Sequence, residues 1–184
     1  MKKLTKLMLV LAQLGLMGAA QAASVSLSPT SQPVVLGNSV SFAVNVDFSD
    51  AATIGGRFQL SYDSSLLGFT SFSYNSGFTS GLTTYTPTLS NGLINDLGFA
   101  GLVSGSGTLG TVTFSTLNTG SANLATGAYS DPFYRFRNST GSSFLTVTYG
   151  GATAQVSAVP APAALWLMAS GLSALGLGLR RRRA

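Results

Sequence analysis

Residues 39–48 alternate without a fault. Val40, Phe42, Val44, Val46 and Phe48 point one way, and Ser41, Ala43, Asn45 and Asp47 point the other. A period of two belongs to a strand with one buried face. Burying five such side chains contributes roughly 10 kcal/mol gross. Ordering about ten residues costs a similar amount. This strand therefore cannot stand alone, and the chain must supply a second sheet to cover it.

Other stretches repeat the pattern. Phe58, Leu60 and Tyr62 alternate after the Gly55-Gly56 pair, and Leu145, Val147 and Tyr149 alternate before Gly150-Gly151. In residues 107–117, Leu109, Val112 and Phe114 carry the apolar face. Their phase slips by one near Gly110, which predicts a bulge. Shorter strands are predicted in residues 25–27, 67–72, 93–100 and 122–125. Asn91-Gly92 and Asn118-Thr119-Gly120 supply turns between them. Residues 64–67 read as a short turn. Residues 76–90, rich in Gly, Ser and Thr, read as a long loop or an edge hairpin. No internal stretch holds a capped helical period. The sum is an all-β sandwich of about nine strands.

The two ends read differently. Lys2, Lys3 and Lys6 precede an apolar run, and Ala20-Gln21-Ala22 follows as a small-residue cleavage site. Residues 1–22 therefore predict a secretory signal peptide, cut by signal peptidase after Ala22 with Ala20 and Ala22 as its recognition pair. At the other end Val159, Pro160, Ala161 and Pro162 break any helix. Residues 163–179 then carry no charge. As a helix they would span ~26 Å at ~1.5 Å per residue, near the short limit for a transmembrane helix. Arg180, Arg181, Arg182 and Arg183 follow. Each costs ~3 kcal/mol at the bilayer centre, so this end is predicted to stay cytoplasmic. The expected organisation is a signal peptide at 1–22, a sandwich at 23–151, a linker at 152–162, a membrane helix at 163–179 and a basic tail at 180–184.

Assigning the ends changes the meaning of the +5 net charge. The region between them keeps only Arg57, Arg135 and Arg137 against Asp47, Asp50, Asp63, Asp96 and Asp131, a net −2. No basic patch for nucleic acid remains. The chain has no Cys and no His. Ser-His and Cys-His nucleophiles are therefore impossible, and a tight zinc site lacks its usual ligands. Paired carboxylates for glycoside hydrolysis could come only from aspartates such as Asp47, Asp50 and Asp63, which the local sequence places in turns. Calcium, which accepts Asp, Asn and carbonyl oxygens, stays open, although no EF-hand spacing occurs. Residues 105–110, GSGTLG, lead into a strand and so read as a turn, with no phosphate-binding role. No catalytic residue, metal ligand or cofactor is expected.

The tail resembles the PEP-CTERM sorting signal, with Ala161 where that family often has Glu. The resemblance implies processing by an exosortase, transient residence in the inner membrane of a Gram-negative bacterium, and delivery to the cell surface or an exopolysaccharide matrix. A second resemblance lies in the middle. Gly37, the alternating strand, Gly55-Gly56, Tyr62-Asp63, Leu66 or Leu67, and then Gly105, Gly107, Leu109 and Phe114 look like the cohesin domain and related carbohydrate-binding sandwiches. It implies a jelly-roll sandwich.

The only Trp, Trp166, sits in the tail. Sugar-stacking platforms in the domain would therefore have to be tyrosines, with Tyr74, Tyr85, Tyr129 and Tyr134 the candidates. The candidate ligand contacts are Tyr134, Arg135 and Arg137, in residues 131–138 (DPFYRFRN), together with Tyr74 and Tyr85. The competing reading of that segment is plain strand packing, with Phe133, Arg135 and Arg137 on one face and Tyr134 and Phe136 on the other. Asn138-Ser139-Thr140 matches a glycosylation sequon. The first functional expectation is a non-catalytic surface or matrix protein that binds polysaccharide or a surface partner. The alternative is a cohesin-type module that binds another secreted protein.

Overall fold

The computed structural model describes residues 23–160 and Met168. The expected signal peptide, the expected membrane helix apart from Met168, the four arginines and Ala161-Pro162 lie outside the described residues. Val159 and Pro160 are the last of the continuous stretch and carry no regular structure. Among the described residues, no helix is long and apolar enough to cross a membrane.

Thirteen strands appear among the described residues. They are β1 Ala23–Ser28, β2 Ser31–Val35, β3 Ser39–Asp47, β4 Thr53–Tyr62, β5 Leu67–Tyr74, β6 Thr83–Thr84 and β7 Thr88–Ser90. The second half adds β8 Leu93–Val103, β9 Ser106–Thr116, β10 Gly120–Ala128, β11 Arg137–Asn138, β12 Val147–Tyr149 and β13 Gly151–Ser157. One sheet has five strands in the order β12-β1-β3-β9-β5. The other has eight, running β2-β13-β10-β4-β8-β6, with β11 added to β4 and β7 to β8. Most neighbours are antiparallel, but β12 joins β1 and β2 joins β13 in parallel.

The alternation in β3 does what a period of two requires. Val40, Phe42, Val44, Val46 and the following Phe48 are all buried. Phe58, Leu60, Ile94, Leu97 and Phe99 meet them from the other sheet. The phase slip at Gly110 is a bulge: Val44 pairs with Gly110 and Asn45 with Thr108, so Leu109 is the extra residue. Both Leu109 and Val112 thereby reach the core. Residues 64–67 form the expected turn, in which the Asp63 carbonyl accepts from the Leu67 N–H at 2.9 Å.

The structure corrects the domain limit. Residues 152–157 are no linker; they form most of β13. Ala152, Ala154 and Val156 point into the core, and the strand pairs with β10 on one side and β2 on the other. Small side chains suit this place because β13 lies where the sheets come close. Residues 76–90 are also more ordered than a loop. They hold one helical turn, Ser76–Thr79, capped by Asn75, and then β6 and β7. The strand expected at Leu145 starts two residues later. The Leu145 N–H donates instead to the Phe136 carbonyl at 2.9 Å.

The outward faces of the two sheets differ. The five-stranded sheet presents small uncharged groups such as Ser26, Ala43, Asn45, Thr111 and Thr113, several of them bonded across strands. The eight-stranded sheet presents aromatic rings and all three arginines of the domain.

Candidate functional site

The site is built on β4 and β8. Their pairing slips between Phe58 and Leu60, so Gln59 faces two residues, Asn95 and Asp96. Asp96 takes a φ of 60°, rare for a residue with a side chain. This bulge turns its carboxylate toward Arg57. Arg57 Nη1 donates to Asp96 Oδ1 at 2.7 Å, Tyr129 OH to the same oxygen at 2.8 Å, and Thr88 Oγ1 to Oδ2 at 2.7 Å. Burial works to raise the Asp96 carboxyl, but these three donors outweigh it and hold it below the usual carboxylate range. Asp96 in turn pushes the Tyr129 hydroxyl up, chiefly through their hydrogen bond.

Arg57 lies between rings. Its guanidinium carbon is 4.2 Å from the Tyr85 centroid and 4.5 Å from that of Tyr134. Such stacking is attractive because the ring face carries negative potential. Tyr74 serves this arrangement from within. Its hydroxyl lies 2.8 Å from the Tyr85 carbonyl and 3.1 Å from that of Gly98, and burial pushes its pKa up. Tyr74, expected as a ligand contact, is thus a half-buried tie between the sheets. Tyr85 and Tyr134, expected as sugar platforms, each already face Arg57.

Residues 131–138 cross β4 near its start, where Arg137 pairs with Gly55 and Asn138 with Thr53. The Asp131 carboxylate accepts from the Phe133 N–H at 2.9 Å and starts a 3-10 turn at Pro132–Tyr134. The simple alternation therefore fails in its first half, and Phe133 and Tyr134 are both exposed, at 66% and 42%. It holds in the second half. Phe136 is fully buried against Phe48 and Phe99 and anchors the segment. The anchor needs a glycine beneath it, because any Cβ on Gly56 would meet the backbone of Phe136. Thr53 Oγ1 pins the end of the crossing by donating to the Arg137 carbonyl at 2.6 Å.

Arg135 and Arg137 flank that anchor. Arg135 Nε donates to the Tyr129 carbonyl at 2.9 Å, and Arg137 Nη1 to the Gly141 carbonyl at 3.1 Å. The Arg137 guanidinium lies 4.4 Å from the Phe144 centroid and 5.3 Å from that of Phe133. Phe144 is 49% exposed. A groove of about 210 Å³ runs beside this stack, lined by Ile54, Tyr85, Phe133, Tyr134, Arg135 and Arg137 among others. The β4–β8 register sets exposed Leu102 near Ile54 at the rim.

The structure therefore gathers Tyr134, Arg135, Arg137 and Tyr85 into one surface. It adds Tyr129, one of the tyrosines offered as a sugar platform, and Arg57, Asp96, Phe144 and Ile54, which sequence reasoning passed over. Only Arg57 carried a signal, as one of three arginines between the two ends. The aspartates weighed for catalysis serve local turns: Asp47 ends β3, Asp50 lies in the bend after it, and Asp63 follows β4. Asp47 Oδ1 accepts from Ser49 N and Oγ, and Asp63 Oδ1 from Ser65 N and Oγ. Among the described residues, no group of three acidic side chains that could hold a metal comes together. The Asn138 amide of the sequon caps its own turn, accepting from Ser142 N at 2.9 Å.

Comparison with solved structures decides the fold. A cohesin of Clostridium acetobutylicum superposes with a TM-score of 0.58 at 15% identity, covering 75% of this chain and 92% of its own. A non-cellulosomal cohesin of the archaeon Archaeoglobus fulgidus gives 0.56 at 18%, covering 74% and 91%. The fold is the cohesin fold. A type I cohesin of Clostridium thermocellum, solved in complex with a dockerin, gives 0.56 at 14%, covering 76% and 97%. At these identities the cohesin likeness is one of architecture. No protein-family model matches the sequence, and no curated protein matches it.

Proposed function

We propose that this chain is an exported, non-catalytic protein-interaction module that docks its partner on the aromatic–arginine surface of the eight-stranded sheet. The carrying observation is the stack of Phe133, Arg137 and Phe144, with two half-exposed rings around a guanidinium. Aromatics and Arg are the residues in which interface energy concentrates. The cohesin fold supports the reading, since a structural neighbour was solved bound to a dockerin. Polysaccharide binding has less support. Tyr85 and Tyr134, the rings best suited to stack on sugars, are turned to Arg57.

The location is proposed from the termini. A signal peptide exports the domain, and the Pro-x-Pro motif, apolar segment and arginines mark it for an exosortase after a transient stop in the inner membrane. The sorted product belongs at the cell surface or in its matrix. The intact mass of the mature protein tests this. A mass lacking both residues 1–22 and the arginines is expected, and a retained arginine tail on all mature copies would remove the sorting step.

The docking reading is tested by capturing secreted proteins of the source bacterium on the immobilised domain, beside a glycan array. A specific protein is expected to be retained by the wild type and lost, about tenfold or more, from Phe133→Ala/Phe144→Ala of unchanged melting temperature. Glycan signal with no retained protein would overturn it.

A further inference from the structure

We infer that the partner segment seated on this surface is acidic, presenting Asp or Glu carboxylates to Arg135 and Arg137 beside apolar side chains on Phe133, Phe144 and Ile54. The inference rests on the docking reading above and names the chemistry of its partner. Charge bookkeeping carries it. The domain has three arginines and five aspartates, yet the single ion pair among the described residues is Arg57–Asp96. Arg135 and Arg137 have no carboxylate, although both are half-buried and line one groove.

Each spends one guanidinium nitrogen on a carbonyl, Arg135 on Tyr129 and Arg137 on Gly141. The remaining donors of both have no protein acceptor among the described residues. Those free donors form their strongest and best-fitted hydrogen bonds with a carboxylate, whose two oxygens match the planar fork. The arginines are also held in place before any partner arrives. Arg137 is stacked on two rings, and Phe136 between the two is locked in the core. Little side-chain freedom is then lost on binding. The acidic protein source is favoured over an acidic sugar because exposed Phe133, Phe144, Ile54 and Leu102 frame the arginines with apolar surface. A uronate chain, hydroxylated on most edges, would leave that surface poorly matched.

The test uses probes of known composition. A short peptide alternating glutamate and leucine, its glutamine counterpart, and an oligogalacturonate of similar length are titrated into the isotope-labelled chain. Shifts are followed at the Arg Nε and Phe ring signals. The glutamate peptide is expected to move Arg135, Arg137, Phe133 and Phe144. The glutamine peptide should bind about tenfold more weakly, and the glutamate peptide should weaken with added salt. Arg137→Gln and Arg137→Lys should both weaken it, the lysine because a point charge cannot replace a stacked planar fork. The glutamine peptide leaves the protein untouched, so the comparison holds even if a variant misfolds. Equal binding of the two peptides, tighter binding of the galacturonate, or no binding at all would each overturn the inference. If the secreted partner is still captured through Phe133 and Phe144 in that event, the docking reading stands without it.

Discussion

Asp96 sets the geometry of the site one residue at a time. Its carboxylate holds Arg57, Tyr129 and Thr88 together, and it needs an unusual backbone to do so. Because its folded pKa lies below the ordinary carboxylate value of ~3.9, its stabilisation is present above that pH. It is lost as the pH falls through the lower folded value. Asp96→Asn should therefore cost about 1–3 kcal/mol near neutrality. The gap to wild type should narrow below about pH 4. Urea unfolding at neutral and acid pH measures both, and a gap that stays constant on acidification would rule out this role. None of this was visible in the sequence. Tyr134, Arg135 and Arg137 could be read as a cluster because they are neighbours in the chain. Arg57, Asp96 and Phe144 join them only through sheet pairing and a bulge, which no local pattern encodes.

Strands announced themselves in proportion to the size of their buried side chains. β3 was legible because Val and Phe alternate against Ser and Asn over its whole length. The bulge in β9 was legible because large residues make a phase slip visible. β13 was not, because Ala152 and Ala154 contribute so little apolar signal that a true strand resembles a linker. The two- and three-residue strands β6, β7 and β11 had no chance, since they exist only as additions to longer partners. A chain ending at Gly150 separates the two readings of residues 152–157. The linker reading predicts an unchanged domain. The observed pairing predicts that β10 and β2 lose their partner, and that stability falls by at least about 3 kcal/mol in thermal or urea unfolding.

At the scale of the whole molecule, the sandwich has two unlike faces. One is small and hydroxylated, with Asp47 its charged group at the end of β3 and its other polar groups bonding across strands. The other concentrates the arginines and the most exposed rings. The sandwich and a surface cluster were legible from alternating strands and from residues 131–138, but two features redirected the functional reading. The tyrosines expected to receive sugar are stacked on Arg57, and the phenylalanines around Arg137 are left open. Docking as proposed requires that second face to be the one a partner covers. Hydrogen exchange of the domain, alone and with its captured secreted partner, tests this most directly. Slowed exchange is expected in residues 132–138 and around Ile54 and Phe144. Slowed exchange confined to the strands carrying Ser41 and Thr113, with residues 132–138 unchanged, would contradict it.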